Sequence, residues 1–278
     1  TVRESALDFI ALRVEEEDVN YVVDRLFDVS VAVRKKAVKI VLAHLRGLSQ
    51  THNDRAESLL RRVALLASRR ERACDRDEAK RILRETFLPF TPQRQALLLR
   101  IVAKENLDGI AEILRAAPAA QLDALQTFLL DQLDSDAFLR VLMLLKLTAA
   151  DTAAHARIAD RLDLLVACVH DDDPDAAVVV LDLLTSVIPY VSVTRPTELL
   201  LNRLAAQLLR LVYATSVPAL LALSVRCYLS ILTLLKDETR IGEFCVQFLR
   251  FAQAEQARAR AYVVLALLFK QCDVQRCP

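Results

Sequence analysis

Apolar residues in this chain recur at intervals of three and four, the spacing that puts side chains on one face of an α-helix. Val2, Ala6, Leu7 and Ile10 form one such stripe, and Val33, Ala37, Val38 and Val41 form a second, with Arg3 and Arg34 at matching places 31 residues apart. The second stripe follows Asp28-Val29-Ser30, a turn and N-cap signal, because short polar side chains satisfy the unpaired N–H groups at a helix start. Before that turn, Val19, Val22, Val23, Leu26 and Phe27 mark another amphipathic helix. The unit is helix, acidic turn, helix.

The same grammar returns downstream. Ile158, Leu162, Leu165, Val166 and Val169 precede Asp171-Asp172-Asp173-Pro174-Asp175, and a second helix is expected over 176–188, ended by Pro189. Further helices are expected over 198–213, after an Arg195-Pro196 break, and over 217–235. Between these regions lie shorter periodic segments, 93–104, 107–116 and 121–133, punctuated by Pro92, Asn106, Gly109 and Pro118. One hairpin cannot bury its apolar stripe alone, so copies must stack. The expected fold is all-α, an elongated and curved α-solenoid of stacked antiparallel helical hairpins. Its expected organisation is basic repeats over 1–92, a less regular connector over 93–139 and further repeats over 140–278, in one continuous solenoid.

Composition agrees with helices. Three glycines and eight prolines in 278 residues are too few for the turns of a β-protein, and 54% apolar residues supply ample core. The apolar runs 176–181 and 262–269 fall well short of the roughly 20 residues needed to cross a bilayer, so no membrane contact is expected. The chain begins at Thr1, its only methionine is Met143, and no leader precedes the first helix, so an internal piece of a longer protein is expected. Six scattered cysteines, three in apolar helical runs, are expected to be free thiols of an intracellular protein.

The net charge of +1 conceals an uneven distribution: residues 34–84 hold fifteen Lys/Arg against six Asp/Glu, whereas 105–190 hold five against fifteen. The candidate DNA-binding residues are Arg34, Lys35, Lys36, Lys39, Arg61, Arg62, Arg69, Arg70, Arg72, Lys80, Arg81 and Arg84. Such a set neutralises phosphates without reading bases. No Phe or Tyr is interleaved with the arginines between Leu45 and Leu83, so duplex backbone is a better target than stacked single-strand bases. The competing reading is an ordinary solvated helix face.

The segment from Tyr21 to Asp28, followed by Ser30 to Ile40, resembles the C-terminal HEAT region of the Nipped-B-like (adherin) cohesin loaders. The likeness continues in order through Val2-Arg3-Glu4-Ser5-Ala6, the arginine-bearing helix Leu59 to Val63, a turn at Arg76-Asp77-Glu78, and the helix end Leu83-Arg84-Glu85-Thr86-Phe87. A fainter likeness spans 140–251. Family members usually carry a tryptophan after that Phe; here the chain reads Phe87-Leu88-Pro89-Phe90 and has no tryptophan, which marks a divergent member. The resemblance implies a nuclear, chromatin-associated scaffold for sister chromatid cohesion. Its implied partners are the kleisin subunit and ATPase heads of the cohesin ring and double-stranded DNA, and its implied action is cohesin loading with stimulation of the ring's ATPase. The loader's tetratricopeptide-repeat partner binds far towards the N-terminus of the family and is not expected on this segment.

No catalytic constellation is legible. Gly47, Gly109 and Gly242 stand apart with no phosphate-loop spacing, and His44, His52, His155 and His170 have no metal-ligand spacing with cysteine. Pro174 interrupts any calcium loop at Asp171-Asp172-Asp173, leaving a helix cap as the reading there. Cys227 and Cys245 lie among apolar residues that favour an inert thiol. No cofactor and no metal is expected. The alternative to a cohesin loader is a generic HEAT-repeat adaptor that binds proteins and not DNA.

Overall fold

The computed structural model describes residues 2–12, 21–48, 53–68, 73–133, 135–149, 151–169, 173–253, 261 and 263–266. Those residues include fourteen α-helices and three 3-10 segments, with no strand among them. They divide into two compact units, Thr1–Thr148 and Ala149–Pro278.

The first unit contains α1 (Val2–Leu12), α2 (Val31–Leu48), α3 (Asn53–Ser68), α4 (Ala73–Phe87), α5 (Pro92–Ile101), α6 (Leu107–Ala116), α7 (Ala119–Leu130) and α8 (Phe138–Thr148). Residues 21–24 are helical and lead into the 3-10 turn Arg25–Phe27. Neighbours in sequence pair as hairpins, as α3 does with α4 and α7 with α8. Every second helix also packs on its counterpart: α2 on α4, α4 on α6, α6 on α8. That two-fold pattern is how stacked hairpins bury stripes that no single hairpin can cover. Within residues 93–139, α5, α6 and α7 belong to this unit.

The second unit contains α9 (Thr152–Ala159), α10 (Leu162–Ala167), α11 (Pro174–Val187), α12 (Arg195–Ala214), α13 (Pro218–Leu234) and α14 (Glu238–Gln253). Here α9 packs on α11 and α11 on α13, while α12 and α13 form a hairpin. Helix α13 buries Leu221, Val225, Tyr228, Leu229, Ile231 and Leu232, most of its circumference, because it has neighbours on several sides. Tyr228, Phe244 and Phe248 pack in series as tilted rings at centroid separations of 4.9 and 4.8 Å, and the Tyr228–Phe244 contact ties α14 to α13.

Several prolines read as breaks are helix starts. Pro92, Pro174, Pro196 and Pro218 occupy the first turns of α5, α11, α12 and α13, where a missing N–H costs nothing and the ring pre-sets φ. Consequently α12 begins at Arg195, three residues before the expected start, capped by the Thr194 hydroxyl. The expected turn at Arg76-Asp77-Glu78 lies inside α4 instead, since acidic residues suit the early turns of a helix. Asp173 caps α11 as expected, accepting from the N–H groups of Asp175 and Ala176 at 3.1 and 3.0 Å.

Candidate nucleic-acid interface

The basic residues of the first unit fall into groups defined by what each side chain touches. On α2, Lys35 and Lys39 lie one helical turn apart, both exposed, and neither has an ion-pair partner among the described residues. Arg46 continues the same face, since eleven residues is close to three full turns. Along α2 the backbone thus presents a cationic edge opposite the buried Val33, Ala37, Val38 and Val41.

Arg34 and Lys36 point elsewhere. The Arg34 guanidinium donates to the carbonyl oxygens of Asp28 and Val29 at 2.8 and 3.3 Å, closing the turn ahead of its own helix. Lys36 donates to the Glu4 carbonyl at 3.0 Å and pairs with the Asp8 carboxylate, joining α2 to α1. Asp28 is the hub of this turn: its carboxylate is closed off from solvent and accepts from Arg3 at 3.1 Å, from Arg25 at 3.5 Å and from the Ser30 N–H at 3.0 Å. The Ser30 N–H contributes most to holding the Asp28 carboxyl below its ordinary value, with Arg3 and Arg25 adding to it against the opposing effect of burial. The two arginines that match in sequence, Arg3 and Arg34, therefore converge on one turn.

A second group centres on the C-terminal end of α5. Arg61 from α3 pairs with Glu57 at 2.6 Å and donates to the Arg100 carbonyl at 2.8 Å, and Arg140 from α8 reaches the same carbonyl at 3.5 Å. Unpaired helix-end carbonyls draw cations. Arg61 and Arg140 thus meet at one helix-end carbonyl, and the Arg100 side chain itself is exposed. A third group surrounds Glu112 on α6, contacted by Lys80 at 3.3 Å, Arg84 at 3.9 Å and Arg115 at 2.5 Å. Partial burial works to raise the Glu112 carboxyl, but hydrogen bonds from Arg115 and Lys80 and the charge of both cations outweigh it and hold the group below its ordinary value. One carboxylate cannot neutralise three cations, so positive charge remains at this site.

The remaining candidates are Arg62, which pairs with Asp24 at 2.8 Å, and Arg81, which pairs with Glu85 at 2.7 Å. Arg69, Arg70 and Arg72 lie outside the described residues. Seven of the nine described candidates thus hold other parts of the fold, which makes Lys35 and Lys39 the ones freest to meet a phosphate. Arg100, Arg115 and Arg140 lie outside the basic stretch and escape a regional charge count; only the packing of α5, α6 and α8 brings them in.

Cys168, Cys227 and Cys245 are in no disulfide, and burial pushes the Cys227 thiol up to about 12, so it stays protonated. Among the described residues no helix is long and apolar enough to cross a membrane.

Stacked helical hairpins in two units, with no strand described, define an α-solenoid of the HEAT kind. The backbone matches the C-terminal fragment of the cohesin loader SCC2 from Chaetomium thermophilum with a TM-score of 0.73 at 21% sequence identity, over 96% of this chain. The match covers 23% of that structure, so the present chain spans less than a quarter of it. This is the same protein class that the ordered motifs around Arg3, Arg34 and Glu85 resemble. An engineered protein at TM-score 0.49 and 15% identity, covering 83% of this chain and 96% of its own, is a weaker match. A designed armadillo-repeat protein at 0.37 and 13%, covering 77% and 99%, is weaker again. No protein-family model and no curated protein matches the sequence.

Proposed function

We propose that this chain is a cohesin-loader-like HEAT scaffold that holds the proteins of the cohesin ring, its kleisin subunit and ATPase heads, and grips duplex DNA without regard to sequence. In this reading it promotes loading of the ring onto chromatin in the nucleus, stimulates the heads' ATP hydrolysis, and carries out no chemistry itself. The observation that carries the reading is the backbone match to the SCC2 C-terminal fragment over nearly the whole chain, at the level where the sequence motifs already point. The DNA contact is made by Lys35 and Lys39, supported by the cation groups at Arg61, Arg100 and Arg140 and around Glu112. The basic side chains that would line it also include Arg69, Arg70 and Arg72.

The test is duplex binding by fluorescence anisotropy between 50 and 200 mM salt, alongside pull-down with kleisin fragments and ATPase heads. Lys35→Glu with Lys39→Glu weakens duplex binding and lowers its salt slope, while kleisin recovery is unchanged. Recovery of neither kleisin nor heads, with no duplex binding at moderate salt, would leave the generic adaptor. The use of seven candidate cations within the fold is the observation that favours that second reading.

A further inference from the structure

The second unit carries an open cleft of about 510 Å³ that plays no part in the DNA reading. Its floor is apolar, made by Leu162 and Val191 with Pro196 and Leu200 from the start of α12. Asp160 and Asp163 stand on one side of it, exposed, and neither is in an ion pair among the described residues. Neither the cations closest to them in sequence, Arg157 and Arg161, nor Arg195 at the start of α12 lines the cleft. The cleft is also lined by Val191, Ser192 and Thr194 of the strap 191–194, which joins the 3-10 turn Ile188–Tyr190 to α12 and is extended at Val191 (φ −73°, ψ 128°) and Thr194 (φ −111°, ψ 166°). The strap is pinned at its ends, where the Val191 N–H donates to the Ile188 carbonyl and the Thr197 hydroxyl donates to Ser192 and Thr194 carbonyls at 3.0 and 2.9 Å. The N–H groups of Ser192 and Val193 make no hydrogen bond within the described residues. Beside the cleft, Tyr190, Val193 and Leu199 expose 41, 48 and 67% of their surfaces, so apolar surface continues past its mouth.

These features fit one kind of occupant. An apolar floor takes an apolar side chain, an extended strap with unused N–H groups pairs with extended backbone, and two unpaired carboxylates take a cation. The sequence leading up to the strap agrees in sign: residues 149–190 carry eight aspartates against Arg157 and Arg161. We propose that the cleft between the α9–α10 turn and the 191–194 strap docks an extended peptide segment of another protein that presents an apolar side chain followed closely by lysine or arginine. An acidic peptide meets repulsion from Asp160 and Asp163, and a nucleic acid is repelled for the same reason.

The experiment uses the whole chain and two fluorescent twelve-residue peptides, one with a Leu-Leu pair followed by Lys-Arg and one with Glu-Glu in place of Lys-Arg. Anisotropy is expected to show the basic peptide bound and the acidic one at least about tenfold weaker. Asp160→Lys with Asp163→Lys lowers the affinity of the basic peptide about fivefold, the size expected for two exposed ion pairs. Val193→Asn, an exposed and uncharged substitution that leaves the helices intact by circular dichroism, weakens it independently by removing apolar surface. Equal binding of the two peptides, or undiminished binding by both variants, overturns the proposal. Because none of these residues is in the first unit, duplex DNA binding measured on the same samples stays at the wild-type value. Loss of the peptide result and loss of the DNA result are therefore separate outcomes.

Discussion

At the level of single residues, the turns between helices show where local conformation and charge set stability. Lys236 sits at φ 56°, the left-handed region, just after α13. Its N–H bonds the Thr233 carbonyl and the Asp237 N–H bonds the Leu232 carbonyl, the paired closure that normally places glycine at this position. A side chain there costs about 1–2 kcal/mol, partly offset by the roughly 0.5–1 kcal/mol of chain entropy that glycine adds to the unfolded state. Lys236→Gly is therefore expected to stabilise the protein by about 0.5–1 kcal/mol, read as a higher urea midpoint with unchanged slope. Asp28 shows the electrostatic counterpart. Its carboxyl is held below its ordinary value, so its contribution is fully present above about pH 4, the unfolded value, and is lost as pH falls through the lower folded one. Asp28→Asn is expected to lower the urea midpoint at pH 7 and to shrink its drop between pH 5 and pH 2. This turn was only half legible in sequence. Asp28-Val29-Ser30 reads as a cap, and Arg3 and Arg34 read as repeats of each other, but that both arginines serve the same turn depends on α1 folding back on α2.

At the level of elements, helices were legible because 3.6-residue periodicity records burial directly: the expected 107–116 is α6 itself, and 217–235 matches Pro218–Leu234 closely. What periodicity cannot record is which helices touch, and a close approach at Gly109 depends on that. Gly109 on α6 lies against α3 so tightly that an added Cβ would stand 2.5 Å from the Ala64 carbonyl oxygen and 3.1 Å from the Ala67 Cβ. The contact is sealed by a relay in which the Gly109 N–H donates to the Ser68 hydroxyl at 2.8 Å and that hydroxyl donates to the Ala64 carbonyl at 3.0 Å. In sequence Gly109 reads as punctuation, whereas it is a packing position at the start of a helix. Gly109→Ala must push two backbones apart and is expected to cost about 1–3 kcal/mol despite alanine's better helix propensity. Ser68→Ala, which removes only the relay, is expected to cost about 1 kcal/mol. Thermal or urea unfolding of the two variants separates the terms, and a stabilised Gly109→Ala would mean that the helices can part freely.

At the level of the whole molecule, near-neutrality is the sum of two opposed regions, and the regional count in sequence gave their signs without showing how much of the positive charge is already used. Cations of the first unit meet acids distant in sequence, Arg62 with Asp24 and Lys80 with Glu112, and helix-end carbonyls such as that of Arg100 are acceptors that no charge count includes. Pairing changes what a salt titration reads. Each phosphate neutralised by a free cation contributes about 0.9 to the slope of log affinity against log salt, whereas a cation that must leave a carboxylate contributes less net affinity. If Lys35 and Lys39 each meet one phosphate, Lys35→Glu with Lys39→Glu lowers the slope by about 2, and affinity for a 30-base-pair duplex falls most steeply at low salt. Arg62→Gln and Arg81→Gln, whose cations are paired with Asp24 and Glu85, are expected to change the slope by well under one unit each. Neutralising Asp160, Asp163 and Asp182 in the second unit raises net charge by three yet leaves the slope unchanged, because the slope counts phosphates in contact and not total charge. A slope that instead followed net charge across these variants would mean that DNA is held by a diffuse field, and the assignment to the α2 edge would be wrong.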